Sequence, residues 1–162
     1  MLKELEPLAA QYARSRETLY KCLDQLSAAQ AEELLPDRDW SIKDTLIHLV
    51  TNETLMTALL RDIEDGDANS LPDDFDNQKF NDESVAAGRA KSVAELRAEL
   101  DASYNNLLAV LETVTPETIK RRGTHPAAGD SDVKEFLVAM YAHHEVHCRD
   151  VVEQTRRLKK VS

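Results

Sequence analysis

Tyr141-Ala-His-His-Glu-Val-His-Cys-Arg-Asp150 lies inside a long helical pattern over residues 132–157, and three of the chain's five histidines fall within it. At 100° per residue, Val133, Leu137, Met140 and Val151 share one side of such a helix, and all three histidines lie within roughly 80° of its centre. His143 and His147 are four apart and stack one above the other on that side. His144 and Cys148, also four apart, occupy its opposite shoulder. Imidazoles turned into a helical core require hydrogen-bond partners or a metal ion.

Outward from this helix the chain reads as three more. Residues 2–30 carry Leu5, Leu8, Tyr12, Leu19, Leu23 and Leu26 at bundle spacings, predicting one long first helix. Ser41 and Asp44 form a capping box that opens a second helix to about Asp65, with Ile42, Leu46, Leu49, Met56, Leu60 and Ile63 along its seam. Trp40 stands before the cap as a hydrophobic staple, and Gly66 ends the helix. Ser92 and Glu95 open a third helix reaching about Val114. An aspartate or serine among 130–132 caps the fourth. With only 4 Gly and 5 Pro and no alternating β pattern, the expected fold is all-α. The expected architecture is one four-helix bundle spanning residues 1–162, with a long connection between its second and third helices. That connection, 67–91, is polar; Phe75 and Phe80 would anchor it, and a turn or two of helix is expected from Asn81 to Gly88. The last connection, 120–130, reads as a solvated loop with His125 exposed.

The 162 residues carry 30 acidic and 20 basic side chains, a net charge of −10. Such a surface repels phosphate backbones and anionic bilayers, so neither nucleic acid nor membrane is an expected partner. No apolar window approaches a membrane span, and no signal peptide is apparent, so a cytoplasmic location is expected. Two cysteines, Cys22 and Cys148, make no disulfide framework; Cys22 fits a core position.

His48, at the seam's edge on the second helix, is a candidate third nitrogen donor beside His143 and His147. Three neutral imidazoles with an open position make a catalytic type of metal site, with Asn52, Glu53 and Glu145 as candidate acceptors for the outer ring N–H groups. Spacing alone leaves a second reading open, in which the histidines are core residues bonded to carboxylates such as Glu53. A pairing of His144 with Cys148 on zinc also stays open.

Trp40-Ser-Ile-Lys-Asp-Thr-Leu-Ile-His-Leu-Val-Thr-Asn-Glu53 resembles the W-S-x-x-[DE]-x-x-x-H-L-x-x-x-E signature of the DinB-like superfamily, and the terminal H-x-x-x-H is similar to that family's last helix. The resemblance implies a four-helix bundle in which one histidine of the second helix and two of the fourth hold a divalent metal, nickel or zinc. On the matching positions these are His48, His143 and His147. Aligned instead on His144-Glu-Val-His-Cys-Arg149, the pattern would put Cys148 where a ligand histidine stands. The resemblance further implies a small-molecule substrate, a low-molecular-weight thiol cosubstrate activated by the metal, and a homodimer. Three functions follow as expectations: a thiol-dependent transferase or isomerase, with the 67–91 connection as a lid; a metal-dependent hydrolase with Glu53 or Glu145 as base; or a non-catalytic, stress-associated binding protein.

Overall fold

The computed structural model describes residues 1–67, 71–72 and 74–161; the parts of the long connection at 68–70 and 73 lie outside them. Among the described residues, helices α1 (Glu6–Leu23), α2 (Ala28–Glu32), α3 (Ile42–Asp65), α4 (Asn77–Gly88), α5 (Val93–Thr113) and α6 (Val133–Val161) are joined by one short hairpin, β1 (Arg122–His125) and β2 (Gly129–Asp132). The four long helices form the bundle. Helix α3 packs against α5 and α6, and α1 lies along α6.

The caps explain the boundaries. Ser41 accepts from the Asp44 N–H and Asp44 answers onto the Ser41 N–H, and Ser92 with Glu95 repeats the device. Asp132 and Glu135 do the same at the start of α6, at 2.8 and 2.9 Å. At the end of α3 the Gly66 N–H reaches Ile63 and the Asp67 N–H reaches Asp62, a closure that needs the positive φ of +98° at Gly66.

Three segments depart from expectation. The first helix is not continuous over 2–30: it stops at Leu23, and a capping box between Ser27 and Gln30 restarts the chain as the short α2. A new cap captures backbone N–H groups that a continuous helix would have bonded internally, which is why the break falls there. The long connection holds a three-turn helix, α4, that begins four residues earlier than expected. Asp76 caps it by accepting from the Lys79 N–H, and Phe75 packs on Phe80 at 5.7 Å as a staple around the cap. The last connection is a hairpin rather than a loop, closing over Pro126–Ala128 with Gly129 at φ +75°.

Helix α4 lies close against α3. A Cβ on Gly88 would stand 2.4 Å from Cγ2 of Ile47, so only glycine permits this approach. Arg89 then pairs with Asp44 at 2.9 Å, tying the end of α4 to the start of α3.

Two apolar clusters make the core. One gathers Leu5, Met56, Leu60, Leu107, Phe136 and Met140, the other Leu19, Ile42, Leu46, Leu96, Leu100 and Val151. A buried polar layer crosses the bundle near their junction. Glu53, 2% exposed, accepts from Tyr12 at 2.6 Å and from Ser103. The Arg16 guanidinium stands 3.4 Å from it and also donates to the Leu100 carbonyl at 2.7 Å. A buried ion pair gains little over an apolar pair but is costly to halve. Glu53→Leu leaves the buried Arg16 charge with only the exposed carboxylate of Asp101, at 3.2 Å, and should lower unfolding stability by about 3–5 kcal/mol. In denaturant titrations the double variant Arg16→Met/Glu53→Leu should recover most of that loss; a single variant costing no more than the double would contradict the pairing.

Candidate metal centre

Helix α3 presents His48 on its α6-facing side, and α6 presents His143 and His147 one turn apart. The His48 Nε2 lies 2.9 Å from the His143 Nε2, and the His147 Nε2 lies 3.2 Å from the same atom. One donor nitrogen from each of the three residues falls within 4.8 Å of the others. His48 is 3% exposed; His143 and His147 are half-buried.

The geometry poses a problem for a purely hydrogen-bonded reading. An imidazole nitrogen offers one in-plane position, a proton or a lone pair. The His143 Nε2 faces two other ring nitrogens and has a single lone pair or proton to share between them. Separations of 2.9 and 3.2 Å match what nitrogens bound to one ion at about 2.0–2.1 Å would span. The rings also hold their lone pairs free. Burial first, then the neighbouring His147 and His143, push His48 down to about 3. Burial and His147 push His143 down to about 4. Burial likewise lowers His147, with Asp150 pulling it partly back. Neutral imidazoles are the form that ligates.

Other residues complete the surroundings. Trp40 lies over His48 at 4.7 Å and His147 at 6.1 Å, so it is a wall of the site rather than only a helix staple. Its loop is clipped to α6 by Arg38 to Asp150 and Glu153, and by Asp37 to Arg157. Asn81 of α4 stands close enough to His48 to favour a proton there, yet falls short of hydrogen-bond geometry: Nδ1 of His48 and Oδ1 of Asn81 are both buried with no partner. His147 faces an open cleft of about 480 Å³ with Trp40, Gln78 and Asp82, while His143 faces a narrower cavity of about 170 Å³ with Asn52, Asn77 and Asn81.

Several expectations are corrected. Glu53 does not orient a histidine. It lies five residues after His48, about 140° round the helix, and its oxygens are taken by Tyr12, Ser103 and Arg16. Glu145 is likewise engaged, by Ser15 at 2.7 Å and Arg149 at 3.0 Å. His144 and Cys148 turn toward α1: His144 stacks on Tyr12 at 4.5 Å, and Cys148 lines a cleft with Ser15. Burial pushes the Cys148 thiol up to about 12, far from a reactive thiolate. His125 is not exposed. It is buried on β1, edge-on to Phe136 at 4.6 Å, in the cavity that His143 faces. Asn77, Asn81 and His125 escaped as site residues because only the Asn81–Gly88 part of α4 was apparent and the hairpin that carries His125 read as loop.

A four-helix bundle with three imidazoles gathered between its second and fourth long helices defines a protein of the DinB-like superfamily. Over residues 12–152 the sequence matches the family described as mycothiol maleylpyruvate isomerase N-terminal domain, and the chain belongs to that family. Among solved structures, YfiT from Bacillus subtilis, described as a probable metal-dependent hydrolase with an unusual four-helix bundle topology, is 16% identical with a TM-score of 0.81, covering 98% of this chain and 90% of that one. The mycothiol-dependent maleylpyruvate isomerase is 15% identical with a TM-score of 0.76 over 91% of this chain; the match spans 60% of that protein's length. TT2238, described as a four-helix bundle protein, is 19% identical with a TM-score of 0.66, over 91% and 97% of the two chains. At these identities the likeness establishes the fold. A comparison with curated proteins finds no match.

The depressed histidines carry a consequence for stability. Unfolded histidines regain the ordinary value of 6.5, so between that value and about 3 the unfolded chain binds protons that the folded one does not. The metal-free protein should therefore lose stability as pH falls below about 6.5. A calorimetric melting midpoint for chelator-treated protein that stays flat from pH 7 to about pH 4.5 would contradict the burial of uncharged rings.

Proposed function

We propose that the protein is a divalent-metal-dependent enzyme that couples a low-molecular-weight thiol to a small molecule, as a transferase or isomerase. The observation that carries this reading is the meeting of the His48 and His147 Nε2 atoms on the Nε2 of His143, with all three rings held uncharged. His48, His143 and His147 would hold the ion, nickel or zinc. When bound, such an ion lowers the pKa of a thiol brought to a free coordination position, supplying a thiolate at neutral pH.

The chain's own residues do the rest. Trp40 covers two of the rings and keeps water from the imidazole faces. The clefts on either side of the histidines give separate room for a thiol and a second substrate. Both of the chain's own thiols are buried with raised pKa, which favours a nucleophilic sulfur brought by a cosubstrate. Mycothiol, suggested by the family's name, bacillithiol and related thiols are the candidates.

The name of YfiT favours a hydrolase. Here a hydrolase is the weaker reading, because Glu53 is sealed against Arg16 and Glu145 is bonded to Ser15 and Arg149, leaving neither as a free base. In our reading the partners are small molecules, with no role for nucleic acid or membrane; no described helix is long and apolar enough to cross a bilayer. We place the enzyme in the cytoplasm, as a homodimer serving the stress response.

Conjugation of monochlorobimane to a supplied thiol tests this directly. His147→Ala should slow the metal-loaded protein by about 100-fold or more, since even partners outside the ligand set cost roughly 10–100-fold in such sites. Equal rates in the two proteins would refute the transferase reading and leave a binding protein.

A further inference from the structure

His125 has a fixed tautomer. Its Nδ1 accepts two backbone N–H groups, from Ala127 at 3.1 Å and Ala128 at 3.0 Å, both in the hairpin turn that follows it. A nitrogen receiving two donors cannot itself carry a proton, so Nδ1 is a lone pair and Nε2 bears the only ring N–H. The same two donors oppose an imidazolium, in which both nitrogens would be protonated. Burial lowers the basicity of the ring in the same direction. Edge-on packing against Phe136, with the planes at 69°, holds the ring in place. Among the described residues no protein group receives the Nε2–H, and Nε2 is not among the sealed, unpartnered atoms.

The ring lines the cavity of about 170 Å³ that His143 also faces. Three amide side chains, Asn52, Asn77 and Asn81, share its wall with Met140, and among the described residues no lysine, arginine, aspartate or glutamate lines it. Such a lining offers hydrogen bonds of both senses and no counter-charge. Away from its His143 edge, a carboxylate entering it would lose its hydration without meeting a protein cation, whereas an amide or ketone oxygen would accept from Nε2–H at little cost. With about 30 Å³ as the share of one water molecule in the liquid, the cavity suits a fragment of roughly five or six heavy atoms.

We propose that this cavity is the second-substrate subsite, that it takes a small uncharged carbonyl compound, and that His125 is the fixed neutral N–H donor to its carbonyl oxygen. The proposal rests on the reading of His143 as part of the reacting centre. It makes His125 a substrate contact rather than a metal ligand.

The test uses the full-length protein labelled with ¹⁵N-histidine, with and without one equivalent of zinc, and isobutyramide and isobutyrate as an uncharged and an anionic probe of one shape. At pH 7 the His125 signals should report a protonated Nε2 and a bare Nδ1. Isobutyramide should shift the Nε2 signal and bind at least about tenfold tighter than isobutyrate, a difference one hydrogen bond can supply. His125→Phe should weaken isobutyramide by at least about tenfold, with His125→Gln, which keeps a donor, restoring part of the loss if the phenylalanine variant unfolds. A protonated Nδ1, equal or tighter isobutyrate binding, or a His125 signal unmoved by the amide would each overturn the proposal. Zinc is scored separately on the His143 and His147 signals: the carbonyl response without any zinc response supports this subsite while removing the metal reading.

Discussion

The buried carboxylate of Glu53 constrains the interior more than any other group. A charged oxygen pair at 2% exposure is tolerable only when hydrogen bonds and an opposite charge replace its water. Here α1 supplies Tyr12 and Arg16, and α5 supplies Ser103. The Arg16 guanidinium also lies 4.5 Å over the Tyr104 ring and reaches the Leu100 carbonyl. Apolar packing alone would let these helices slide or rotate at small cost, since greasy faces of similar volume interchange readily. A polar layer admits one register, because every other leaves a charge without its partner. In this protein that register fixes α3 against α1 and α5, and so fixes which face of α3 is left for α6.

The histidines occupy the face that remains. Helix α6 carries two parallel stripes, His143 with His147 and His144 with Cys148, and each meets a different helix. The second stripe is spent on α1, where His144 stacks on Tyr12 and Cys148 lies by Ser15. That contact leaves the first stripe pointed at His48. Helix α4, held close by Gly88 and by the Arg89–Asp44 pair, then closes the site from the side and brings two asparagines one turn apart. The hairpin contributes His125 from the other side. Structural layer and site are thus different sides of α3, which is why Glu53 belongs to one and His48 to the other.

Much of this was legible in the residues. The seams of α3, α5 and α6 follow from helical spacing, and every apolar residue assigned to the α3 seam is buried. The capping boxes at Ser41 and Ser92 marked true starts because each combines a cap with its reciprocal acceptor. The meeting of His48 with His143 and His147 was implied by the family resemblance that the two motifs carry; spacing alone left core packing and a His144–Cys148 pair open. What stayed hidden has physical causes. The break after Leu23 was masked because Leu26, the last seam leucine, keeps the helical spacing up to the Ser27–Gln30 cap. Helix α4 is polar on most of its surface and held by a cap, a staple and one glycine contact, so it carries almost no periodic signal. Strands of four residues are too short for alternation to show, so the hairpin, and His125 with it, looked like loop. The partners of Glu53 lie 37–50 residues away along the chain, beyond the reach of any local pattern.

The chemistry then rests on whether three uncharged imidazoles, gathered on one point and walled by Trp40, hold a metal ion together. X-ray absorption at the metal edge of the protein loaded with one equivalent of zinc or nickel tests this most directly. Our account predicts three imidazole nitrogens at about 2.0–2.1 Å with the remaining positions filled by light atoms, and loss of one imidazole from the fit in each of His48→Ala, His143→Ala and His147→Ala. A sulfur scatterer at about 2.3 Å in the thiol-free protein, or spectra unchanged by those substitutions, would contradict it.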